Sequence, residues 1–291
     1  MRRCASTAPR FRHTSPPCET EGVSLTIATV NVNGIRAASR KGMWDWFEDA
    51  EPDIVTLQEV RAPAELVTAL LDEHLAGWYI AHEIATSKGR SGVAIASRPP
   101  LLSMTSRLGG SGYEDSGRWI EATVDTSDER GLTVISAYVH TGDTTDADRM
   151  EEKLAFLSDA VDRVCELREQ GGHVVLTGDL NVAHHEVDIK NWRGNVGKAG
   201  FHPTERAHLD RLIGDLGWTD LGRHFGGDGP GPYTWWSYRG RSFDNDAGWR
   251  IDYQIASPDL AALAKDARVD RAPSHGERWS DHAPLVVTFD L

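Results

Sequence analysis

Short apolar runs alternate with polar stretches along most of this chain. Eight of them, at 24–30, 53–58, 91–97, 118–124, 132–139, 173–178, 250–256 and 284–290, are alternating or continuously apolar, which predicts strands. Between several of them lie stretches with helical spacing. Residues 40–50 and 63–75 predict short helices. The longest candidate is 146–169, with Met150, Leu154, Leu157, Val161, Val164 and Leu167 in helical register. A further helix is predicted over 203–216, which follows His202 and starts Pro203-Thr204-Glu205; proline suits a helix start. Strands mix with helices throughout, with no internal repeat and no Pro/Gly-rich linker in the middle. Residues 23–291 therefore read as a single α/β domain.

Two stretches break the pattern. Residues 184–202 and 222–248 are polar, glycine-rich and aromatic-rich, and contain Trp192, Arg193, Asn195, Lys198, Trp235, Trp236, Tyr238, Arg239 and Arg241. Long irregular loops in a compact domain are usually functional. The first 22 residues differ again. They carry Arg2, Arg3, Arg10 and Arg12 with three prolines and no periodicity, and read as a disordered tail or an extension upstream of the natural start. Arg2-Arg3 is not followed by an apolar core, so an export signal is rejected.

Composition narrows the class. Apolar residues are 40% and charged residues 26%, ordinary for a soluble enzyme, and no apolar run approaches the roughly 20 residues of a membrane helix. Cys4, Cys18 and Cys165 form no CxxC pair, so neither a disulfide framework nor a structural zinc site is suggested; a reducing, cytoplasmic compartment fits. The net charge of −13 argues against a protein that coats nucleic acid. It leaves room for an enzyme that touches a few phosphates through a local basic rim.

Four short polar motifs carry the chemistry. Asn31-Val32-Asn33-Gly34, Leu57-Gln58-Glu59 and Gly178-Asp179-Leu180-Asn181 each end an apolar run, and Ser280-Asp281-His282 opens onto one. Side chains at strand ends sit on the rim of a sheet, where a rigid scaffold aims them into one cleft. Carboxylates, carboxamides and one imidazole are the groups a divalent metal and a phosphate ester require. Glu59 is a good hard-metal ligand. Asp179 is placed to orient or deprotonate a water and Asn181 to donate to a phosphoryl oxygen, both pointing one way if the strand continues. His282 needs an orienting partner, and Asp252 in Arg250-Ile251-Asp252-Tyr253 offers one.

Each motif has an ordinary structural reading as well. Glu59 alone could be a surface residue, Asp179 and Asn181 a turn, Asp252 a strand-end ion pair with Arg250. The adjacent His184 and His185 are poorly spaced for one metal and read as loop surface. Trp235, Trp236 and Trp249 could be core, but aromatics in an arginine- and asparagine-rich loop often stack on bases or wall a sugar pocket.

Taken together, these residues resemble the exonuclease III family of abasic-site endonucleases, within the metal-dependent phosphoesterases that include DNase I-like enzymes. The resemblance covers about 24–291. GDxN and SDH are shared with sphingomyelinases and inositol polyphosphate phosphatases. The DNA-repair branch is marked by Asn31-Val32-Asn33-Gly34-Ile35-Arg36-Ala37, by Asn191-Trp192-Arg193-Gly194-Asn195 running on to Gly200-Phe201-His202-Pro203-Thr204-Glu205-Arg206, and by Tyr233-Thr234-Trp235-Trp236-Ser237-Tyr238 with Gly248-Trp249-Arg250-Ile251-Asp252-Tyr253. It implies a four-layer α/β sandwich of two mixed sheets flanked by helices. It implies Mg²⁺ or Mn²⁺, with Glu59 as principal ligand, Asn31 and Asn33 in support, Asp179 and Asn181 beside it, and Asp281 at a proposed second metal position. Tyr138 matches a contact to the scissile phosphate, Asp179 the proton-handling residue, Asn181 the phosphate-binding asparagine, and Asp252 with His282 the Asp–His pair. Trp235, Trp249 and Ile251 match the apolar pocket for a baseless sugar, and Arg118 and Asn195 fall among the DNA contacts.

The expected activity is cleavage of double-stranded DNA 5′ to abasic sites, with trimming of blocked 3′ ends and nucleotides, by a cytoplasmic monomer without membrane contact. Three positions depart from the family pattern. Thr141 in Tyr138-Val139-His140-Thr141 stands where many relatives have a DNA-contacting asparagine, Arg61 where a lysine near the metal is common, and Arg90 where an aromatic is frequent. Two rivals stay open: a phosphoesterase acting on small or lipid substrates, and an inactive DNA-end-binding protein that keeps the fold.

Overall fold

All eight runs expected to be strands form strands. The computed structural model describes residues 24–291 apart from 88, 110–112, 114, 115, 127 and 129. In chain order the elements are β1 (Ser24–Asn31), α1 (Ile35–Ser39), α2 (Met43–Ala50), β2 (Ile54–Gln58), α3 (Ala64–His74), β3 (Tyr79–Glu83), β4 (Val93–Ser97), β5 (Leu101–Thr105), β6 (Trp119–Val124) and β7 (Leu132–Tyr138). They continue with α4 (Ala147–Glu169), β8 (His173–Asp179), α5 (Pro203–Leu209), β9 (Thr219–Asp220), α6 (Leu221–Gly226), β10 (Asp252–Ala256), α7 (Pro258–Ala261), β11 (Ala264–Val269) and β12 (Leu285–Asp290). The strands make two six-stranded sheets, ordered β11-β12-β1-β2-β4-β3 and β5-β6-β7-β8-β10-β9.

Each sheet is built round one parallel pair, β1 with β2 and β7 with β8. A parallel pair needs a crossover, and here the crossovers carry helices to the outer faces. Alternation along the strands fills three apolar layers. Ile27, Ile54, Ile95, Val134, Val175 and Val287 meet between the sheets. Ala28, Val55 and Ala96 turn outward against Met43, Phe47, Val67 and Leu71 of α2 and α3. On the other side Ile135, Val174 and Leu176 pack on Phe156, Leu157, Val161 and Val164 of α4, whose N-terminus is capped by Asp146 accepting from the Arg149 amide. The result is the four-layer α/β sandwich the resemblance implied.

Near one rim the inter-sheet layer turns polar. Thr56 Oγ1 lies 2.6 Å from Thr177 Oγ1, Gln58 Nε2 donates to Ser136 Oγ at 3.0 Å, and Gln254 Nε2 donates to the carbonyls of Ile27 and Leu285, both at 2.9 Å. Buried polar groups of this kind are costly unless paired, and paired they fix one geometry. They peg the sheets together just beneath the functional rim.

One predicted helix is altered. Residues 203–216 do not run as a single α-helix: α5 stops at Leu209 and a π-helical turn covers Asp210–Asp215, closed by the Leu216 amide on the Arg211 carbonyl at 2.9 Å. Gly214, a poor helix former, lies in that turn.

Candidate active site

The strand registers explain why the four motifs converge. β8 is parallel to β7 and antiparallel to β10, so Asp179 stands between Tyr138 and Asp252 in adjacent strands. In the facing sheet β1 and β2 end side by side, with Asn31 opposite Gln58, and β12 begins beside them. The rims of the two sheets together surround a cavity of about 260 Å³. Its walls include Glu59, Asp179, Asn181, Asp281 and His282 on the polar side and Trp235, Trp249 and Ile251 on the apolar side. Asn33 and Arg61 also line it; Asn31 and Asp252 are buried beneath the wall, and half-buried Tyr138 lies beside Asp179 in register. Asn195 and Arg118 do not line it. Asn195 donates to the Asn191 carbonyl in its own turn, and the Arg118 guanidinium lies 5.1 Å from the centre of the Tyr138 ring.

Holding these groups costs backbone strain. Asn33, Glu59, Arg61 and Asn181 adopt φ of 46°, 52°, 47° and 50°. Non-glycine residues there sacrifice about 1–3 kcal/mol each, and such positions cluster at functional sites. The strand therefore does not continue through Asn181. The left-handed turn brings its amide back, so that Asn181 Nδ2 lies 3.0 Å from Asp179 Oδ2. Gly178 makes the approach possible: at φ 126° a Cβ there would sit 2.0 Å from the Ala137 carbonyl oxygen.

A continuous hydrogen-bond web joins the polar wall. Asn31 Nδ2 donates to Glu59 Oε1 and to Asp179 Oδ2, both at 2.9 Å. Asn33 Nδ2 donates to Asp281 Oδ1 at 2.7 Å, while its own oxygen accepts from Arg61 at 2.6 Å. Arg61 also forms an ion pair with Glu59. The other Asp281 oxygen accepts from Trp235 Nε1 at 3.1 Å, so the pocket wall and the carboxylate are one unit. His282 Nδ1 contacts both oxygens of Asp252 at 3.1 and 2.9 Å, and its Nε2 points toward Asp179 Oδ2 at 3.9 Å. The Asp252–Arg250 pairing drops out, because Arg250 is committed to Asp188 and Asp220.

The electrostatics follow from burial and neighbours. Burial pushes the Asp179 carboxyl up; His282 opposes this and Asp252 adds to it, leaving it at about 7. Burial pulls His282 down, but the Asp252 charge and hydrogen bond outweigh it and raise the imidazolium to about 9. Burial, reinforced by Asp179, pushes the Tyr138 phenol up to about 12, so it remains a donor. Asp179, Asp252 and His282 bring ligand atoms within 4.8 Å of one another. A protonated imidazole is no metal ligand, however, and it already supplies the positive charge between those two carboxylates.

A hard divalent ion fits a different corner. Glu59 Oε2 is buried and, among the described residues, accepts no hydrogen bond and pairs with the Arg61 cation. Asp179, Asn181 and Asp281 line the same cavity and carry further oxygen donors of the kind that suits such ions.

The aromatic loops are more ordered than their composition suggests. Trp235 makes bridge pairs with Trp249 and with His282, and Trp249 with Ile189. The two indoles meet edge to face with centroids 6.1 Å apart. Thr234 Oγ1 accepts the amides of Ile251 and Asp252 at 3.2 and 3.1 Å and so sets the start of β10. His184 is not loop surface: it is buried, with Nε2 2.8 Å from Asp210.

Several supporting residues escaped the sequence reading. Ser280 donates to the Asn31 carbonyl at 2.7 Å and ties the SDH motif to β1. Lys153 and Glu205 form a buried pair behind Asn181. Lys153 had a visible signal: it falls between Met150 and Leu157 at core-facing spacing on α4.

Comparison with known proteins places the chain and its fold in a family. The chain is 32% identical to an exodeoxyribonuclease of Bacillus subtilis over 92% of its length and 100% of the relative. Its fold matches an AP endonuclease from Archaeoglobus fulgidus with a TM-score of 0.80 at 29% identity, covering 92% of this chain and 100% of that one. It matches the Neisseria 3′ phosphatase NExo bound to a product DNA hairpin with a TM-score of 0.82 at 31% identity and the same coverage. A family model spans residues 28–282. On the strength of that span and of the relative matched over its full length, the chain belongs to the Endonuclease/Exonuclease/phosphatase family.

Proposed function

We propose that this chain is a divalent-metal-dependent phosphodiesterase of DNA repair, which cuts the backbone 5′ to an abasic site and removes nucleotides and blocking groups from 3′ ends. One observation carries the reading. The phosphate-handling groups share a cavity with an apolar wall of Trp235, Trp249 and Ile251, too specialised for a bare phosphate. The relatives named above, an exodeoxyribonuclease, an AP endonuclease and a 3′ phosphatase, span the same three activities.

In this reading Mg²⁺ or Mn²⁺ would be held by Glu59, with Asp179, Asn181 and Asp281 as further oxygen donors, and would supply Lewis-acid chemistry at the phosphate. Asn31 and Asn33 hold the carboxylates apart and in place. Asn181 and protonated His282 donate to the phosphoryl oxygens as charge develops on them. Asp179, which lines the cavity, already accepts three N–H bonds, from Asn31 and twice from Asn181, which fix its carboxylate and leave one lone pair free of N–H donors among the described residues. That lone pair takes the proton of the attacking water, and its raised pKa makes the transfer favourable near neutrality. Tyr138 donates its phenolic proton to the phosphate. Specificity comes from shape: a nucleotide without a base costs less to extrude and fits against the apolar wall of Trp235, Trp249 and Ile251.

Residues 23–291 act as one catalytic domain, monomeric and cytoplasmic; the segment 1–22, expected to be a disordered tail, lies outside the described residues. Among the described residues no helix is long and apolar enough to cross a membrane. The deciding experiment incubates the protein with a duplex bearing one abasic analogue, with Mg²⁺ and with chelator. A single cut 5′ to the lesion, abolished by chelator, is expected. Turnover confined to small or lipid phosphoesters, or DNA binding without metal-dependent cleavage, would overturn the proposal.

A further inference from the structure

Lys153 of α4 and Glu205 of α5 are both fully buried, with Nζ 2.5 Å from Oε1. An ammonium has three donors. The other two reach the backbone carbonyls of Thr141 and Asn181, each at 2.9 Å. Glu205 in turn accepts the Gly200 amide at 2.8 Å and the His202 amide at 2.9 Å. One ion pair thus grips the main chain at four points, and three of them, Thr141, Asn181 and Gly200, line the cavity. Neither charged side chain reaches the cavity itself.

The gripped points have little slack. Asn181 sits at φ 50°, and Gly200 at φ 83° lies so close under Trp249 that a Cβ there would be 3.0 Å from the indole and 3.3 Å from the Asn181 carbonyl oxygen. Stability does not explain the pair. Burying two charges costs about as much as their attraction returns, and apolar residues of similar volume often do as well. What apolar residues could not do is hold two carbonyls and two amides at fixed positions.

We propose that Lys153 and Glu205 are positioning residues that set Asn181 against the phosphate and Gly200 against Trp249, and so lock the phosphate grip to the sugar pocket. The inference rests on the assignment of Asn181 to the phosphate made above. It separates two jobs within one loop system: the side chains of the cavity act on substrate, and this pair fixes the backbone that carries them.

The test combines Lys153→Met with Glu205→Gln in the full-length protein. Both charges go together, so neither is left buried alone, and the glutamine oxygen still accepts from Gly200 and His202. Besides the ion pair itself, the bonds to the Thr141 and Asn181 carbonyls are lost. Single-turnover cleavage of an abasic-analogue duplex at saturating enzyme reads the rate constant of the bound complex, while thermal melting and active-site titration count folded molecules. The expected result is a rate constant lower by about tenfold or more in the folded fraction, since small misplacements cost heavily, with DNA affinity little changed. A rate constant within about twofold of wild type would overturn the proposal. Should the double variant not fold, Lys153→Arg decides, because it keeps the charge and displaces the donors: the same loss supports the proposal and a wild-type rate overturns it. Failure of the functional reading shows separately, as wild-type protein inactive on the abasic duplex. The positioning role is then read from the crystal structure of the double variant. Asn181 leaving its left-handed turn supports it, and an Asn181 turn unchanged from wild type overturns it.

Discussion

Asn31 spends both hydrogens of one side-chain nitrogen on carboxylates from opposite sheets, Glu59 of the first and Asp179 of the second, each at 2.9 Å. The two acids converge on one cavity and repel each other when both are ionised. The amide keeps them apart and aims each one. Asn31→Ala should therefore leave the fold intact, since the inter-sheet contacts of Thr56, Gln58 and Gln254 remain. It should lower the turnover number by about 10²–10³, the usual loss for one preorganised donor. Steady-state kinetics with a circular dichroism control would check this, and turnover above a tenth of wild type would count against it.

The His282 and Asp179 shifts predict a bell-shaped pH–rate profile. Asp179 must be ionised to accept a proton, so activity rises through about 7 in the absence of other charges, and a bound cation moves that limb lower. His282 must stay charged, so activity falls through about 9. Both limbs belong to the coupled pair as much as to either residue. Asp252→Asn removes the charge that raises His282, and the alkaline limb should move down by a unit or more. The sign for stability agrees: a raised imidazole contributes fully below its unfolded value of about 6.5 and loses that contribution as pH rises through about 9. Wild-type and Asp252→Asn profiles with superimposable alkaline limbs would refute the pairing.

Glu59→Gln should weaken divalent-ion binding directly, because an amide is a poorer hard-metal ligand than a carboxylate. Isothermal titration of the DNA-free protein with Mn²⁺ separates this from any effect on turnover. An unchanged binding isotherm would place the ion elsewhere in the cavity.

The motifs were legible because their residues sit where strands stop, and strands were legible from alternation. Asn31, Glu59, Asp179 and His282 follow that logic directly. Four strands were not: Tyr79–Glu83, Leu101–Thr105 and Ala264–Val269 lie toward sheet edges and leave much of their surface exposed, and Thr219–Asp220 is only two residues long. Edge strands owe their form to a neighbour's backbone, which leaves a weak mark on side-chain pattern. The joint geometry of Asp179 and Asn181 was anticipated for a different reason from the one found, since a left-handed turn rather than a continuing strand aligns them. Thr234 and Ser280 were invisible as support, because their work is to accept or donate backbone hydrogen bonds across the fold. Lys153 was masked by its charge, which suggested a solvated face although its spacing placed it on the core.

Binding of abasic duplex should be strongly salt-dependent despite the acidic total. Arg193, Lys198, Arg239 and Arg241 are exposed, and Arg193 is braced on the Trp192 ring at 4.5 Å. Each phosphate neutralised should add about −0.9 to the slope of log affinity against log salt. Arg193→Ala should reduce that slope by about one unit and weaken all duplexes alike. A nearly flat slope for the wild-type protein would favour a small-molecule substrate.

Trp249→Ala should harm abasic-site cleavage more than removal of a 3′ phosphate. The indole stands in the residue before Arg250-Ile251-Asp252, packs edge to face on Trp235 and rests on Gly200, so it forms a wall and not a contact to the phosphate. A baseless deoxyribose needs that wall to pack against, whereas a phosphate on an exposed 3′ end needs Asp179, Asn181 and His282 and little of the wall. The indole also belongs to a small apolar cluster with Ala183, Ile189, Phe201 and Ile251, so some stability is expected to go with it. Truncating a large aromatic costs about 3–5 kcal/mol when fully buried and less here, because Trp249 is only partly covered. Measuring both activities and the melting temperature of one preparation distinguishes the roles. A selective fall in abasic cleavage identifies the wall of the sugar pocket. An equal fall in both activities together with a large melting shift would make Trp249 a core residue and leave the choice of substrate to some other part of the cavity.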